Sequence, residues 1–220
     1  MDDFEKNKEY LASIMRRLYS MKLTTTLGGN ISMLLPNKTI LITPSGSDKS
    51  NISFNDVGRM ALNGEIIGAQ FIPSIESSMH IEIYNNRDDI NVIIHAHPPY
   101  LSAFSATTAK INTKLTVETY ALLGNVAYAE YAPMGTLDLA TNVANSAKES
   151  NCILMRNHGA VTIGKSFVEA FDRMEVFENA ARMSILTGIN LKESFNPLSL
   201  KQCEIIDETI INLKSKQKKY

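Results

Sequence analysis

The chain has 220 residues, a fifth of them charged, and a formal net charge of −1. That length is enough to bury a sizeable core as one domain over residues 1–220, and an even charge balance without a basic stripe argues against nucleic acid as a partner. The charged start Met1-Asp2-Asp3-Phe4-Glu5-Lys6 lacks the apolar stretch of a signal peptide, no apolar run approaches a membrane span, and Cys152 and Cys203 stand in no disulfide, redox or metal spacing. The expectation is a soluble, cytoplasmic protein, with the basic end at Lys214, Lys216, Lys218 and Lys219 a solvated tail.

Phe4, Leu11, Ile14, Met15, Leu18 and Tyr19 recur at helical spacing and predict an opening amphipathic helix. Threonines and Gly28-Gly29-Asn30 break it, and two short strands are expected at 31–35 and 39–43, joined through Pro36-Asn37. Thr43-Pro44-Ser45-Gly46 is a second polar turn. Ser53 is a candidate cap for a helical turn at 54–57, and Asn63-Gly64 predicts a hairpin between 59–62 and 65–67. Pro73-Ser74-Ile75-Glu76 then opens a helix, with Ser74 as N-cap and Glu76 in the first turn.

A strand at 92–97 leads into a short helix at 100–105, an extended stretch at 113–117 and a further strand at 126–131. Thr136 caps a helix reaching about residue 150, and strands at 152–157 and 160–163 flank a turn at His158-Gly159. A long helix over 166–186 is expected to stop at Gly188, and Ser199 with Gln202 forms a capping box for a last helix. Hairpin signals outnumber strand-helix-strand units, which predicts an α/β fold with a mixed, mostly antiparallel sheet and helices packed on it.

The chemistry concentrates at Val92-Ile93-Ile94-His95-Ala96-His97-Pro98-Pro99. Alternate side chains of a strand share a face, so His95 and His97 project together from the strand's end. The pair is open to two readings, half of a first-row metal site or two hydrogen-bonded rings at a strand terminus. The only other histidines are His80 and His158. Three neutral imidazoles with one carboxylate or water suit Zn²⁺, although other divalent ions accept the same donors. His80, four residues after Glu76 on one helix face, is either a fourth ligand or a group that orients Glu76 from behind. Glu76 itself is open to a helix-dipole role as well as a catalytic one. The turns at Gly28-Gly29-Asn30 and Ser45-Gly46, with Ser74 at a helix start, suit an anion such as phosphate, though each makes an ordinary turn too.

Five segments together resemble one family. Gly28-Gly29-Asn30-Ile31-Ser32, Ile42-Thr43-Pro44-Ser45-Gly46, Pro73-Ser74-Ile75-Glu76 with His80, His95-Ala96-His97-Pro98 and Asn157-His158-Gly159 occur in the order and spacing of the class II aldolase/adducin family. Within it the chain looks most like the fuculose-phosphate aldolase branch. The resemblance implies a three-layer α/β/α fold and a homotetramer with sites at subunit interfaces. It implies that His95, His97 and His158 bind Zn²⁺, and that Glu76 is both a ligand of the resting site and the acid/base. It places the substrate's phosphate on Gly29, Asn30, Ser45, Gly46, Ser74 and Ile75. The implied reaction is aldol cleavage of a phosphorylated ketose to dihydroxyacetone phosphate and a short aldehyde through an enediolate. Relatives that epimerise, dehydrate or decarboxylate sugar phosphates on the same metal platform give the alternative activities, and a non-catalytic adducin-like scaffold gives the alternative class. Two departures fall on the phosphate side, where the family aldolase has a serine at Ile75 and a threonine at Leu27. A tyrosine lent by the neighbouring subunit has Tyr120 as its nearest match, with Glu118 competing and Tyr220 as a further candidate.

Overall fold

The computed structural model describes residues 3–190 and 199–217; Lys218, Lys219 and Tyr220 lie outside the described residues. In chain order the elements are α1 (Asp3–Ser20), β1 (Asn30–Leu34), β2 (Thr39–Ile42), β3 (Gly58–Ala61), α2 (Ser77–Asn86), β4 (Val92–Ala96), α3 (Pro99–Ser105), α4 (Val117–Leu123), β5 (Val126–Ala129), α5 (Leu137–Ala147), β6 (Cys152–Met155), β7 (Gly159–Gly164), α6 (Phe167–Asn190) and α7 (Leu200–Gln217). The strands form one seven-stranded sheet in the order β3-β2-β1-β4-β7-β6-β5. Only β5 and β6 run parallel; every other pair is antiparallel. The expected mixed, mostly antiparallel sheet is present.

The three layers follow from strand periodicity. On β4, Val92, Ile94 and Ala96 join the core that contains Leu11, Met15 and Leu18 of α1 and Phe171, Met174 and Phe177 of α6. Ile93 points the other way, into a core with Met79 and Ile83 of α2 and Leu139 and Val143 of α5. All of these side chains are at most 3% exposed, and burial of each one larger than alanine contributes on the order of 1.5–3 kcal/mol. By the same alternation His95 lies on the α2 face of the central strand. The sheet thus delivers its one β4 histidine to the side where Glu76 waits.

Several polar contacts fix the ends of these elements. Glu178 of α6 accepts from the backbone N–H groups of Tyr100 and Leu101 at 2.9 and 2.8 Å, satisfying the open N-terminus of α3 just after His97. Arg87 donates to the Ala147 carbonyl at the end of α5 at 2.5 Å, a favourable place for a cation. Ser199 and Gln202 make the expected reciprocal cap of α7, with Ser199 N–H on Gln202 Oε1 at 2.9 Å and Gln202 N–H on Ser199 Oγ at 3.3 Å.

Four expectations are corrected. Residues 113–117 are not extended; α4 starts at Val117, because Thr116 and Thr119 each accept the other's backbone N–H in a capping box. Their β-branched composition suggests strand, but the cap decides. Gly188 does not stop α6, which runs on to Asn190; Gly188 has no positive φ, so it makes no left-handed cap. The second arm of the Asn63-Gly64 hairpin is only an isolated bridge, Met60 to Ile66, not a strand. Ser74 is not the N-cap of α2. That position belongs to Glu76, whose side chain makes no capping bond, while Ser74 closes a turn one step earlier by accepting Ser77 N–H on its carbonyl at 3.0 Å.

Candidate metal centre and active site

The three histidines of separate segments converge. His95 stands in β4, His97 directly after it, and His158 in the turn between β6 and β7. One ring nitrogen of each lies within 4.8 Å of the others. His95 Nε2 and His97 Nε2 are 3.0 Å apart. Glu76 closes the group, with Oε2 3.2 Å from His95 Nε2 and Oε1 3.1 Å from His158 Nε2. Donor atoms at about 2.0–2.1 Å around a tetrahedral Zn²⁺ stand about 3.3–3.4 Å from one another, so these spacings fit a first-row cation with little rearrangement.

The local chemistry fits as well. His95 Nδ1 meets the Ala160 carbonyl at 3.0 Å, and since a carbonyl only accepts, Nδ1 carries the hydrogen and Nε2 offers its lone pair to the centre. Burial, reinforced by His95 and His158, pushes His97 down to about 3, so it is neutral, the form a metal requires. Burial opposes ionisation of Glu76, yet His95 and His158 outweigh it and hold the carboxyl well below the usual carboxylate range. Burial likewise disfavours a charged His95, but Glu76 overcomes this and raises it. Glu76 Oε1 is buried without a hydrogen-bond partner, and such an atom is expected to coordinate something.

Glycines let the backbone come this close. Gly29 has φ +70°, and a Cβ there would sit 2.8 Å from the His95 carbonyl. A Cβ on Gly159 would lie 2.5 Å from the Ala96 carbonyl and 2.6 Å from His97 Cδ2. Neither position accepts a side chain.

Behind Glu76 runs a buried polar chain. Asn30 Nδ2 donates to Glu76 Oε2 at 2.8 Å and to Ser74 Oγ at 3.0 Å. Asn30 Oδ1 then faces His80 Nε2 at 2.5 Å. An amide oxygen only accepts, so His80 carries its hydrogen on Nε2 and takes one on Nδ1 from Ser32 Oγ at 2.6 Å. Ser32 in turn meets Tyr84 OH at 2.9 Å. Burial, helped by the nearby His95, pushes His80 down to about 3 and keeps it neutral. Of its two readings the geometry selects the orienting one, since the converging ligand atoms among the described residues belong to His95, His97 and His158, and the His80 ring reaches the Glu76 carboxylate through Asn30.

A cavity of about 170 Å³ opens in front of Glu76, His97 and His158. Gly29, Asn30, Ser45, Ser74 and Ile75 line it, as do Leu27, Met134 and Lys49. Gly46 adjoins it with φ +66°. The N–H groups of Gly29 and Gly46 find no acceptor among the described residues, which suits an anion. Leu27 and Ile75 are 65% and 57% exposed at the rim. Lys49 and the rim's Met134 have no motif to mark them in the sequence; a lysine in a polar turn ordinarily reads as solvated. Tyr120 lies elsewhere, donating to Asp207 of α7 at 2.8 Å.

Residues 9–185 match the family model described as class II aldolase and adducin N-terminal domain. An L-fuculose phosphate aldolase of Methanococcus maripaludis (strain C7) is 39% identical over 179 residues, covering 81% of this chain and 96% of the relative. A 3-oxo-tetronate 4-phosphate decarboxylase of Escherichia coli (strain K12) is 29% identical over 196 residues, covering 86% and 92%. The solved structure of an L-fuculose 1-phosphate aldolase superposes with a TM-score of 0.83 at 30% identity, covering 92% of this chain and 94% of that one. A matching family model over most of the chain, a relative near two-fifths identical and a shared three-layer fold lead to one conclusion: this chain belongs to the class II aldolase and adducin family, and it is most like the family's fuculose-phosphate aldolases.

Proposed function

We propose that this enzyme is a zinc-dependent aldolase that cleaves a phosphorylated ketose, of the L-fuculose 1-phosphate kind, to dihydroxyacetone phosphate and a short aldehyde. It works in the cytoplasm as a homotetramer, as a single domain per subunit. The observation that carries the reading is the buried Glu76 carboxylate, its two oxygens held against His95 and His158 at the head of a cavity.

His95, His97 and His158 hold the cation, with Glu76 as the fourth donor before substrate arrives. When bound, the cation supplies Lewis-acid stabilisation of the negative charge that develops on the substrate's oxygens as the carbon–carbon bond breaks. The chain's own residues do the rest. The hydroxyl of the departing carbon loses its hydrogen as it becomes the aldehyde, and the carbon left behind gains one as it becomes part of dihydroxyacetone phosphate. Glu76 is the group placed to carry a hydrogen to that carbon, being buried, aimed into the cavity and able to titrate once freed of its imidazole neighbours. Asn30 keeps Oε2 oriented while Oε1 stays available. The Gly29-Asn30 and Ser45-Gly46 turns and the Ser74-Ile75 segment cradle the phosphate.

A second reading, decarboxylation of a sugar-acid phosphate, is favoured by the similarity to the tetronate-phosphate decarboxylases. One experiment separates the two. The purified protein is analysed for metal and assayed against several ketose 1-phosphates, with dihydroxyacetone phosphate followed through a coupled dehydrogenase, with and without chelator. Chelator-sensitive cleavage is expected. Bound zinc with no cleavage, and carbon dioxide released from 3-oxo-tetronate 4-phosphate, would move the assignment to the decarboxylase.

A further inference from the structure

The least expected residue at the cavity is Lys49. It is 1% exposed, among the largest fully buried side chains of the protein, and it lines the wall shared with Ser45, Ser74 and Glu76. Its Nζ donates to the Pro44 carbonyl at 2.8 Å and to Ser47 Oγ at 2.9 Å, both neutral acceptors. No carboxylate pairs with it among the described residues. An ammonium has three hydrogens, so one remains uncommitted. A buried charge without a counter-charge is costly, and burial accordingly pushes Lys49 down to about 8. The backbone adds a second tie, since Lys49 N–H donates to the Thr26 carbonyl at 2.9 Å and joins the Ser45-Gly46 turn to the loop that leads to Gly29. Among the described residues no other lysine or arginine lines the cavity, and Leu27, Ile75 and Met134 at its rim are apolar.

We infer that Lys49 is the cation that binds the substrate's phosphate, its missing counter-charge arriving with the ligand. This rests on the reading that the substrate is phosphorylated, but not on which bond is then broken. An anion seated between the Ser45-Gly46 turn and Gly29 would take N–H groups from both loops and the free hydrogen of Lys49. Its charge would offset the desolvation of the ammonium. The turns supply neutral N–H donors, and Lys49 adds the one side-chain charge aimed at the anionic end.

The test is calorimetric titration of the zinc-loaded protein with inorganic phosphate, for the unaltered chain, Lys49→Gln and Lys49→Arg. Glutamine offers a neutral donor in place of the ammonium, whereas arginine keeps the charge. The unaltered chain is expected to bind phosphate, Lys49→Gln to bind it about tenfold or more weakly, and Lys49→Arg to recover most of the difference, with zinc content alike in all three. Equal affinity in Lys49→Gln, an equal loss in both variants, or no phosphate binding by the unaltered chain would each overturn the inference. If Lys49→Gln does not fold, nitrogen-15 spectra of the lysine ammonium groups decide, since phosphate must shift one resonance that is missing from Lys49→Arg. Cleavage is scored separately. Lys49-dependent phosphate binding without ketose cleavage removes the aldolase reading alone, and cleavage with an unchanged KM in Lys49→Gln removes this inference alone.

Discussion

Glu76 is constrained from three directions, and each constraint has a different consequence when removed. His95 and His158 hold its two oxygens from the front, and Asn30 holds Oε2 from behind. Glu76→Gln keeps the shape, and its amide oxygen can still accept from Asn30 Nδ2, but the titrating proton is removed. It is expected to retain most of the bound metal on the three histidines while losing about 10²–10⁴-fold in turnover. Metal content and kcat measured on one sample check this, and near-normal kcat would exclude the acid/base role. His95→Ala, by contrast, takes away the fully buried ring whose tautomer Ala160 fixes, and both metal and turnover are expected to go together. Ser32 shows how far the constraint extends. Ser32→Ala leaves His80 Nδ1 buried with no donor, and a loss of about 1–3 kcal/mol is expected in denaturant unfolding. A stability unchanged within error would mean that the Tyr84-Ser32-His80-Asn30 chain is not needed to hold Asn30.

At the level of elements, the site depends on how tightly β7 is pressed on the end of β4. Ala96 pairs with Ala160 across the two strands, and Gly159 sits where a methyl group would strike the Ala96 carbonyl and the His97 ring. The obstacle on one side is backbone, which cannot step aside. Gly159→Ala is therefore expected to cost about 1–3 kcal/mol and to displace His97, lowering the zinc held per subunit. A variant with full zinc and unchanged stability would show that the corner is looser than the structure describes. The same corner explains what could be read in advance. His95, His97 and the Asn157-His158-Gly159 turn were legible because alternation on a strand and the scarcity of histidine leave few partners. The α1 and α6 elements were legible through their apolar periodicity, β4 through its apolar run and α5 through its Thr136 cap. α4 was not, because its cap consists of two threonines in a stretch whose composition favours strand. Glu76 was legible as a helix-start residue but not as the N-cap that points its carboxylate away from its own helix, which tertiary contact with His95 and His158 determines. Lys49 gave no signal at all, since burial of a lysine depends on loops brought together by the whole sheet.

For the whole molecule, the site makes stability depend on pH in opposite ways with and without metal. In the metal-free protein His80 and His97 fold as neutral rings, pushed down to about 3 from an ordinary 6.5. Between those values the unfolded chain binds more protons than the folded one, so stability rises with pH up to about 6.5. His95 is raised above 6.5. Its contribution is fully present below that value and is lost as pH climbs through the raised one, where the folded chain holds the extra proton. Glu76 is lowered, so its contribution is present above about 4.5 and is lost only in stronger acid. Metal-free protein is therefore expected to be most stable near pH 6.5 and to weaken on the alkaline side. On the proposed assignment zinc reverses that side, because a cation on these three imidazoles needs them deprotonated and binds more tightly as protons leave, adding stability in proportion to its occupancy. Thermal unfolding from about pH 5 to about pH 8.5, with chelator and with zinc, is expected to give two curves that separate progressively above neutrality. Parallel curves would mean that the cation does not compete with the His95 proton, and would place its binding away from the β4 histidine on which the sheet, the glycine corner and the Glu76 chain all converge.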